Sequence, residues 1–281
     1  MATPDPTTRV TDDEHDQLGR LVLGSRRLVV LTGAGVSTES GIPDYRALDG
    51  SWKRPEPIRY QAFVKDDSRR RRYWARSFLG WPRFRLARPG PAHEALARLE
   101  AQGRVHYLIT QNVDELHQRA GSEKVIDLHG RLSRVVCLGC RAVSGREDLQ
   151  RQLAALNPEW AGRSAPLAPD GDADLELPDM NAFQVPACPS CGGILKPDVV
   201  FFGENVPAAR VEAAVDRLTE ADALLVAGSS LMVRSGYRFA VLAAERAIPI
   251  AIVNQGRTRA DDLVTVKIEA ACGEILKTLA R

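Results

Sequence analysis

LTGAGVSTESGIPDYR, residues 31–46, follows a short apolar run and then becomes unusually polar and flexible for the end of a buried strand. An ordinary turn from a strand into a helix needs one glycine and a capping residue. Gly33 and Gly35 would let the backbone approach a bulky anion, and the amides of a helix starting after them would point at it. By itself, the stretch is equally consistent with a phosphate-binding loop and with an ordinary tight turn.

The stretch lacks two parts of the dinucleotide-binding fingerprint. It reads Gly-Ala-Gly-Val-Ser-Thr, so the third glycine of the fingerprint is absent. No strand ending in Asp or Glu follows about twenty residues later to bind a ribose hydroxyl. The choice between the two interpretations therefore depends on the remainder of the chain.

The composition is that of a globular protein and argues against several classes of partner. The chain has 281 residues, and its 38 Lys and Arg nearly balance 36 Asp and Glu, which gives no support to nucleic-acid or anionic-membrane binding. No apolar stretch approaches the roughly 18 residues that span a bilayer, and the polar start lacks the apolar core of a signal peptide. We therefore expect a cytoplasmic protein without a membrane partner and with a flexible tail over residues 1–14.

Four apolar runs share one design, because each ends in small or polar residues. The runs are 28–31, 105–109, 224–227 and 248–253. Helical patterns at 93–100 and 209–218 lie between them, and this alternation predicts an α/β fold with a parallel sheet and helices on both faces. Ligands of such sheets bind beyond the carboxyl ends of the strands, where the four polar clusters would converge. This convergence predicts a binding site.

Two segments interrupt the alternation of strands and helices. Residues 47–90 look helical and aromatic-rich, whereas residues 131–196 contain four cysteines and a Pro/Ala/Asp-rich stretch, 157–186, that predicts a long loop or a poorly ordered insertion. We expect both segments to be insertions that together form a smaller domain. The sheet domain would then comprise residues 15–46, 91–130 and 197–281.

Four of the five cysteines form two C-x-x-C pairs, Cys137/Cys140 and Cys188/Cys191. In a reducing compartment this arrangement favours a tetrahedral zinc site over disulfides. Residues 141–187 separate the pairs, a longer gap than the roughly 15–20 residues of zinc ribbons, but the entropy of loop closure grows only slowly with length. Four thiolates leave no position for water, so the predicted Zn²⁺ is structural and helps a short lobe to fold.

Polar residues near the strand ends are candidates for catalysis and recognition. His129 lies at the junction of the two predicted domains, where a neutral imidazole could accept a proton near pH 7. A lone histidine is nevertheless more often an ordinary core or surface residue. Gln111, Asn112 and Asp114 would either cap the helix predicted at 115–120 or recognise ribose hydroxyls and a carboxamide.

A basic segment within the first insertion offers a second recognition element. Tyr73 and Arg76 are three residues apart, so on a helix they share a face and could present a phenol and a guanidinium to the acidic end of a ligand. The arginine run 69–72 is otherwise typical of a solvated helix face.

Assembled in order, these motifs resemble the sirtuin family of NAD-dependent protein lysine deacylases, and class II members most. The matching stretches are GAGVSTESGIPDYR at 33–46, TQNVDELHQRAG at 110–121, LHG at 128–130, the two C-x-x-C pairs, KPDVVFFGE at 196–204, GSSL at 228–231 and NQG at 254–256. The resemblance implies a Rossmann-like parallel sheet domain with an inserted smaller zinc-binding and helical domain. It also implies NAD as co-substrate, structural Zn²⁺ and an acyl-lysine protein or peptide as substrate.

The resemblance implies roles for individual residues as well. The pyrophosphate would be cradled by Gly33, Ala34, Gly35 and Ser37, assisted by Arg46, with Asp44 and Tyr45 also contacting the cofactor. The adenosine half would be surrounded by Gly228, Ser229, Ser230, Asn254, Gln255, Gly256 and Cys272. The nicotinamide end would contact Gln111, Asn112, Val113 and Asp114. The acyl-lysine tunnel would be lined by Val199, Val200 and Phe201, or these residues would pair with the peptide backbone.

The implied catalytic residues are His129 and Asn112. Nicotinamide leaves through an oxocarbenium-like state, the acyl oxygen captures the sugar carbon, and His129 as general base deprotonates a ribose hydroxyl. The products are nicotinamide, free lysine and O-acyl-ADP-ribose. Because the reaction cleaves NAD, the resemblance also accounts for the absence of the Asp or Glu that binds a ribose hydroxyl in the dinucleotide-binding fingerprint. Tyr73 and Arg76 resemble the pair that holds a distal carboxylate, so we expect acyl groups longer or more acidic than acetyl.

Three alternatives rank below the deacylase. A protein ADP-ribosyltransferase would break the same bond but leave label on protein, and is the most credible of the three. A zinc-containing nicotinamide oxidoreductase would form reduced cofactor and release no nicotinamide, and the absent ribose acid argues against it. A zinc-ribbon nucleic-acid binder using the arginine run would show strongly salt-dependent binding.

Overall fold

The computed structural model describes residues 11–163, 165–166, 168–173 and 178–280, which form nine strands and nine α-helices. The strands are β1 (Leu28–Thr32), β2 (Val105–Thr110), β3 (Val125–Asp127), β4 (Gly130–Cys137), β5 (Val143–Gly145), β6 (Leu195–Val199), β7 (Ala223–Ala227), β8 (Ile250–Val253) and β9 (Val266–Ile268). The helices are α1 (Asp12–Gly24), α2 (Tyr60–Lys65), α3 (Asp67–Phe84), α4 (Pro91–Ala101), α5 (Leu116–Arg119), α6 (Arg146–Leu156), α7 (Ala208–Thr219), α8 (Arg234–Glu245) and α9 (Cys272–Leu279).

A six-stranded parallel sheet with the order β3-β2-β1-β7-β8-β9 forms the larger part of the fold. All five residues of β1 are buried, because helices cover both faces of the sheet. Leu28 and Val30 pack on the side that carries α1, α4 and α9. Val29 and Leu31 pack on the opposite side, against α7 and α8. The α/β class predicted from the sequence is confirmed.

The four apolar runs correspond to β1, β2, β7 and β8. Strand β8 begins at Ile250, two residues later than the predicted run at 248. The sequence analysis missed β3 and β9, the two edge strands, because each has only three residues and no clear apolar periodicity.

The tail predicted over residues 1–14 is too long, because helix α1 begins at Asp12. Thr11 and Glu14 form a capping box there: the Glu14 amide donates to Thr11 Oγ1 (3.2 Å), and the Thr11 amide donates to Glu14 Oε2 (2.9 Å). Reciprocal bonds of this kind satisfy two amides of the first helical turn. The remainder of the predicted tail, residues 1–10, lies outside the described residues.

A second, antiparallel sheet with the order β5-β4-β6 belongs to the smaller part of the fold. Its core is aromatic, with Trp74 and Phe78 of α3 packed together with Trp160 and Phe183. Helix α6 follows β5 and contributes Leu149 and Leu153 to the same core. The helical character predicted for 47–90 is confirmed by α2 and α3.

The 157–186 stretch is packed rather than loose where the structure describes it. Short 3-10 helices form at Pro158–Trp160 and Pro178–Ala182, and Trp160 is 1% exposed. Of the two alternatives predicted, a long loop holds for these parts, which form no α-helix or strand, whereas a poorly ordered insertion was wrong, because buried apolar side chains hold the segment in place. Residues 164, 167 and 174–177 of this stretch lie outside the described residues.

The domain boundaries expected from the sequence stay a prediction. Strand β4 begins at Gly130 and β6 begins at Leu195, so each strand crosses a predicted boundary by one or two residues. Within the described ranges, no helix combines the length and apolarity needed to cross a bilayer.

Candidate active site

The polar residues that follow four neighbouring strands line one cavity of about 410 Å³. They come after β1, β2, β7 and β8, at the carboxyl edge of the parallel sheet, as expected for this fold class. The cavity wall includes Gly33, Ala34, Gly35, Ser37, Asp44, Tyr45, Arg46, Gln111, Asn112, Val113, Asp114, His129, Gly228, Ser229, Ser230, Asn254 and Gln255. The structure therefore assembles most of the predicted site residues.

The two glycine loops pack backbone against backbone. The Gly35 amide donates to the Gly228 carbonyl (2.8 Å), and a Cβ added to Gly35 would lie 2.8 Å from Gly228 Cα. A Cβ added to Gly33 would lie 2.8 Å from Ser229 Cβ and 2.9 Å from the Gly228 carbonyl oxygen. The α-helix expected after this loop is replaced by two short 3-10 turns, Ala34–Val36 and Thr38–Ser40. The glycines are therefore required for loop packing whatever ligand the cavity binds.

A network of amides and hydroxyls fixes the side chains that follow β2. Asn112 Nδ2 donates to the Gly33 carbonyl (3.1 Å) and to Ser37 Oγ (3.0 Å), and Ser37 Oγ donates to Asp114 Oδ2 (2.7 Å). Gln111 Nε2 donates to Ser229 Oγ (2.8 Å). These bonds join the loops after three strands, so the polar groups are held in place before any ligand arrives.

Asp114 combines the two roles that the sequence left open. Its Oδ1 accepts from the Leu116 amide (2.9 Å) at the start of α5, whose preceding residue, Glu115, adopts a left-handed conformation. Its other oxygen faces Ser37 at the cavity. Burial raises the pKa of the Asp114 carboxyl, and the hydrogen bonds from Leu116 and Ser37 oppose that rise. Helix capping and cavity lining therefore involve different oxygens of one carboxyl group.

His129 is buried at the cavity wall between two hydrogen-bond partners. Its Nδ1 lies 2.9 Å from the Gln111 carbonyl oxygen, and its Nε2 lies 2.8 Å from Ser235 Oγ. A carbonyl oxygen only accepts, so Nδ1 carries the hydrogen and Nε2 keeps its lone pair. Burial and, to a smaller extent, the charge of Arg210 lower the pKa of His129 to about 4, although the hydrogen bond to the Gln111 carbonyl opposes the shift. The imidazole is therefore neutral at pH 7 and can accept a proton at Nε2.

Two more histidines lie buried behind the network, and the sequence analysis did not single them out as site residues. The rings of His93 and His117 are 4.7 Å apart, with His93 Nε2 3.4 Å from Ser37 Oγ and His117 Nε2 2.9 Å from Thr32 Oγ1. Burial lowers the pKa of His93 to about 4 and that of His117 well below its usual value. Both rings are therefore neutral supports for the loops at the cavity.

Several aromatic residues beyond the glycine loop pack around the segment that contains Arg46. The Arg46 guanidinium lies 3.5 Å from the centre of the Trp52 ring, and its Nη1 donates to the Gly50 carbonyl (3.2 Å). Trp52 makes edge contacts with Tyr45 and Phe202. Asp44 forms an ion pair with Lys53. The sequence analysis missed the contributions of Trp52 and Phe202, which both line the cavity.

The residues predicted to surround the adenosine half do not all line the main cavity. Cys272 lines a small second cavity of about 40 Å³ next to Gln255, and its thiol donates to the Val253 carbonyl (3.3 Å). Burial raises the pKa of Cys272 to about 12, so the thiol stays protonated. Gly256 lines neither of these two cavities, and an added Cβ would collide with the Leu48 carbonyl oxygen.

The predicted acyl-lysine residues Val199, Val200 and Phe201 line the same cavity as the glycine loops. A buried ion pair supports them: Lys196 Nζ lies 3.1 Å from Glu204 Oε2, which also accepts from the Phe201 amide (2.9 Å). Lys196 Nζ bonds the Val199 carbonyl as well. The pair therefore shapes the turn that follows β6.

Tyr73 and Arg76 do not face the cavity together. Tyr73 lines it and contacts Phe201, with ring centres 5.2 Å apart. Arg76 is absent from the described residues that line the cavity, and its Nε donates to the Ala173 carbonyl (2.9 Å). The cavity is also lined by Phe84, Pro169 and Asp170, none of which the sequence analysis had assigned to the site.

The four paired cysteines come together at the end of the small sheet. One sulfur from each lies within 4.8 Å of the others, with Cys137 Sγ 3.5 Å from Cys191 Sγ and Cys140 Sγ 3.7 Å from Cys188 Sγ. Tetrahedral Zn–S bonds of about 2.3 Å would separate the sulfurs by about 3.8 Å, so the cluster fits zinc. The predicted four-thiolate site is confirmed.

Comparison with known proteins gives consistent matches over nearly the whole chain. The model of the Sir2 family matches residues 33–235. NAD-dependent protein deacetylase 2 of Bradyrhizobium diazoefficiens is 59% identical over 265 residues, 94% of this chain and 97% of that protein. The mitochondrial NAD-dependent protein lipoamidase sirtuin-4 of Bos taurus is 48% identical over 274 residues, 96% of this chain and 87% of that protein. A solved complex of Sir2 with a p53 peptide and NAD⁺ aligns with a TM-score of 0.72 and 31% identity, covering 94% of this chain and 95% of that chain.

Proposed function

We propose roles in binding and catalysis for individual residues of this chain, which belongs to the Sir2 family, the sirtuins, and is an NAD-dependent protein deacylase. It acts on acyl-lysine proteins, and its four cysteines provide a structural metal site that fits zinc. The observation that carries the proposal is His129, whose neutral imidazole presents a lone pair to the same cavity that the strand-end loops line.

The glycine loops are proposed to bind the pyrophosphate of NAD. Gly33, Ala34 and Gly35 line the cavity, and a glycine lets a phosphate approach the backbone without a side chain between them. Ser37 and Arg46 supply a hydroxyl and a cation, with Asp44 and Tyr45 at the edge of the same loop.

The opposite end of the cofactor would meet the loops that follow β7 and β8. Gly228, Ser229 and Ser230 line that part of the cavity with Asn254 and Gln255, and these are the proposed contacts of the adenosine half. Cys272 lies in the neighbouring small cavity. Gly256 is proposed to act through its close packing against Leu48.

The β2 loop is proposed to hold the nicotinamide riboside. Gln111 and Asn112 would face the ribose, Asp114 the carboxamide and Val113 the apolar side of the base. The bonds from Asn112 to Gly33 and Ser37 hold its amide within the cavity before the ligand arrives, which reduces the entropy lost on binding.

His129 is the proposed general base. When bound, NAD supplies the sugar carbon that loses nicotinamide and takes the acyl oxygen. His129 Nε2 then accepts the proton of a ribose hydroxyl, which takes the position that Ser235 Oγ occupies, while Nδ1–H remains bonded to the Gln111 carbonyl. That second bond fixes the tautomer and orients the ring.

The acyl-lysine is proposed to enter beside Val199, Val200 and Phe201. Tyr73 and Phe84 line the same cavity, and we propose that acyl groups longer than acetyl pack against them. The relative from Bos taurus named as a lipoamidase is consistent with a long acyl group. The cytoplasmic location expected from the sequence stays a prediction.

The proposal is tested by incubating the protein with NAD and acetyl-, octanoyl- or lipoyl-lysine peptides and identifying the products by mass spectrometry. We expect free nicotinamide, deacylated peptide and O-acyl-ADP-ribose in equal amounts. ADP-ribose bound to protein, or a reduced nicotinamide cofactor with no free nicotinamide, would support a transferase or an oxidoreductase instead. NAD left intact with every peptide would contradict the proposal.

A further inference from the structure

The first turn of helix α8 contacts the proposed general base. Ser235, the second residue of that helix, lines the cavity, and its Oγ lies 2.8 Å from His129 Nε2. Serine hydroxyls near a helix start usually bond to backbone groups of the same helix. Among the described residues, however, His129 is the only hydrogen-bond partner of this hydroxyl. The hydroxyl therefore serves the imidazole rather than the helix.

The position of Ser235 beside the ring is fixed by packing between α8 and the loop that follows β2. A side chain at Gly236 would collide with Gln111 Oε1, so the helix and the glutamine are in direct contact. Gln111 is itself held by the bond from its Nε2 to Ser229 Oγ (2.8 Å). The carbonyl of the same glutamine lies 2.9 Å from His129 Nδ1. The two groups that bond to the imidazole are thus parts of one packed unit.

The direction of the two bonds to His129 follows from their partners. The Gln111 carbonyl only accepts, so Nδ1 carries the hydrogen, and the Ser235 hydroxyl must donate to Nε2. A neutral imidazole has a single lone pair at this nitrogen, so only one hydroxyl can donate to it at a time. A ribose hydroxyl that gives its proton to Nε2 needs the same lone pair. It must therefore displace the hydrogen of Ser235.

The bond between Ser235 and His129 has opposite effects on stability and on catalysis. His129 is buried at the cavity wall, and a buried acceptor without a donor is unfavourable, so the serine stabilises the folded protein. The same bond must break before the ribose hydroxyl can engage the base, so it lowers the catalytic efficiency. Opposition of this kind between stability and activity is common among residues of active sites.

We propose that Ser235 is a positioning residue that occupies the lone pair of His129 until a ribose hydroxyl of the cofactor displaces it. The inference rests on the proposed role of His129 as general base and deepens it. Before the exchange, both ring nitrogens are bonded and the ring is held on two sides. After the exchange, the Gln111 carbonyl still fixes the tautomer, and the serine hydroxyl can rotate its hydrogen toward the cavity that it lines.

The test compares Ser235→Ala with the wild type, with NAD varied at saturating acyl-lysine peptide. The ratio kcat/KM compares the protein before NAD binds with the transition state, so it includes the displacement. We expect kcat/KM for NAD to rise about three- to tenfold, the range of one net hydrogen bond. A water molecule in place of the hydroxyl is easier to displace, because its immobilisation lowers its entropy. The midpoint of urea unfolding should fall, whereas a merely structural role of Ser235 predicts that both quantities fall.

A double-mutant comparison shows whether the effect acts through the imidazole. In the His129→Ala background, removal of the Ser235 hydroxyl should neither raise kcat/KM for NAD nor lower the urea midpoint, because no lone pair remains to be occupied. Ser144→Ala removes an exposed hydroxyl from β5 and is the matched control, which should leave both quantities unchanged.

Three results would overturn the inference: an unchanged or lower kcat/KM in Ser235→Ala, an unchanged urea midpoint in that variant, or the same rise in kcat/KM without the imidazole. A wild type that deacylates no peptide would instead contradict the proposed function. The urea midpoints would then still show whether Ser235 stabilises the protein through His129.

Discussion

The imidazole of His129 is held between the Gln111 carbonyl at Nδ1 (2.9 Å) and the hydroxyl of Ser235 at Nε2 (2.8 Å). The first bond fixes the tautomer, and the second marks where a substrate hydroxyl would bind. Gln111 directly follows β2 and Ser235 lies in the first turn of α8, so the orientation of the base is a property of the fold.

Replacement of His129 by alanine should lower kcat about 10²- to 10⁴-fold, the usual contribution of a general base. The KM for NAD should change little, because the imidazole acts on the ribose hydroxyl after the cofactor is bound. The measurement is steady-state release of nicotinamide and of deacylated peptide. His15→Ala, on helix α1 and bonded to Thr278, is the control and should retain full turnover. A loss below tenfold in His129→Ala would argue against the assigned role.

Gly35→Ala should destabilise the protein by about 1–3 kcal/mol and raise the KM for NAD, because the added Cβ would lie 2.8 Å from Gly228 Cα and the backbone must move. Urea unfolding and NAD titration measure the two effects. Gly19→Ala in helix α1 is the matched control, since an added Cβ there meets nothing within 4 Å. That change should be neutral or stabilising by up to about 1 kcal/mol. Equal unfolding midpoints for both variants would contradict the packing argument.

Lys196→Met should destabilise the protein by about 2–4 kcal/mol, because Glu204 would keep a partly buried charge without its cation. The KM for the acyl-lysine peptide should rise as well, since Glu204 also holds the Phe201 amide. The double variant Lys196→Met/Glu204→Gln should regain part of the stability, as it leaves no unpaired charge. A double variant less stable than either single variant would show that the pair is not the source of the effect.

The stability should decrease as the pH falls from about 6.5 to about 4. Burial lowers the pKa of His93 and of His129 to about 4, so between these pH values the unfolded chain binds protons that the folded protein does not. Each histidine therefore contributes up to about 3 kcal/mol above pH 6.5 that is lost on acidification. Urea unfolding at pH 7, 5.5 and 4.5 measures the slope.

A variant separates this effect from general acid denaturation. His93→Asn should flatten the pH dependence, because one of the groups that binds protons on unfolding is gone. Identical slopes for the wild type and His93→Asn would contradict the assignment.

Removal of the metal should unfold the small lobe. Structural zinc contributes about 10–16 kcal/mol of apparent folding energy in small metal-binding modules. Cys140→Ser should therefore bind far less than one zinc ion per chain by elemental analysis and show a lowered Tm. Cys272→Ser, which removes the one cysteine outside the cluster, should keep one zinc ion per chain. Full zinc content in Cys140→Ser would exclude this cysteine as a ligand.

Sequence patterns predicted those parts of the site that depend on neighbouring residues along the chain. The strand ends at Gly33 and Gln111 and the two C-x-x-C pairs are local signals, and each holds in the structure. Ser235 contacts His129 across 106 positions, and Arg76 reaches Ala173 across 97, so no local pattern could reveal either contact. The 157–186 stretch misled the sequence analysis because its buried groups are held by tertiary packing alone.

Strands β4 and β6 form an antiparallel ribbon, with an irregularity between Gly130 and Val135, that joins the cysteine cluster to the catalytic cavity. At one end of the ribbon Cys137 pairs with Leu195, and at the other end Gly130, which follows His129 directly, pairs with Val199. Both the base and the acyl-lysine wall are thus attached to the same two strands, whereas the glycine loops belong to the other sheet. Loss of the metal should therefore lower the turnover rate and the affinity for the peptide before it lowers the affinity for NAD.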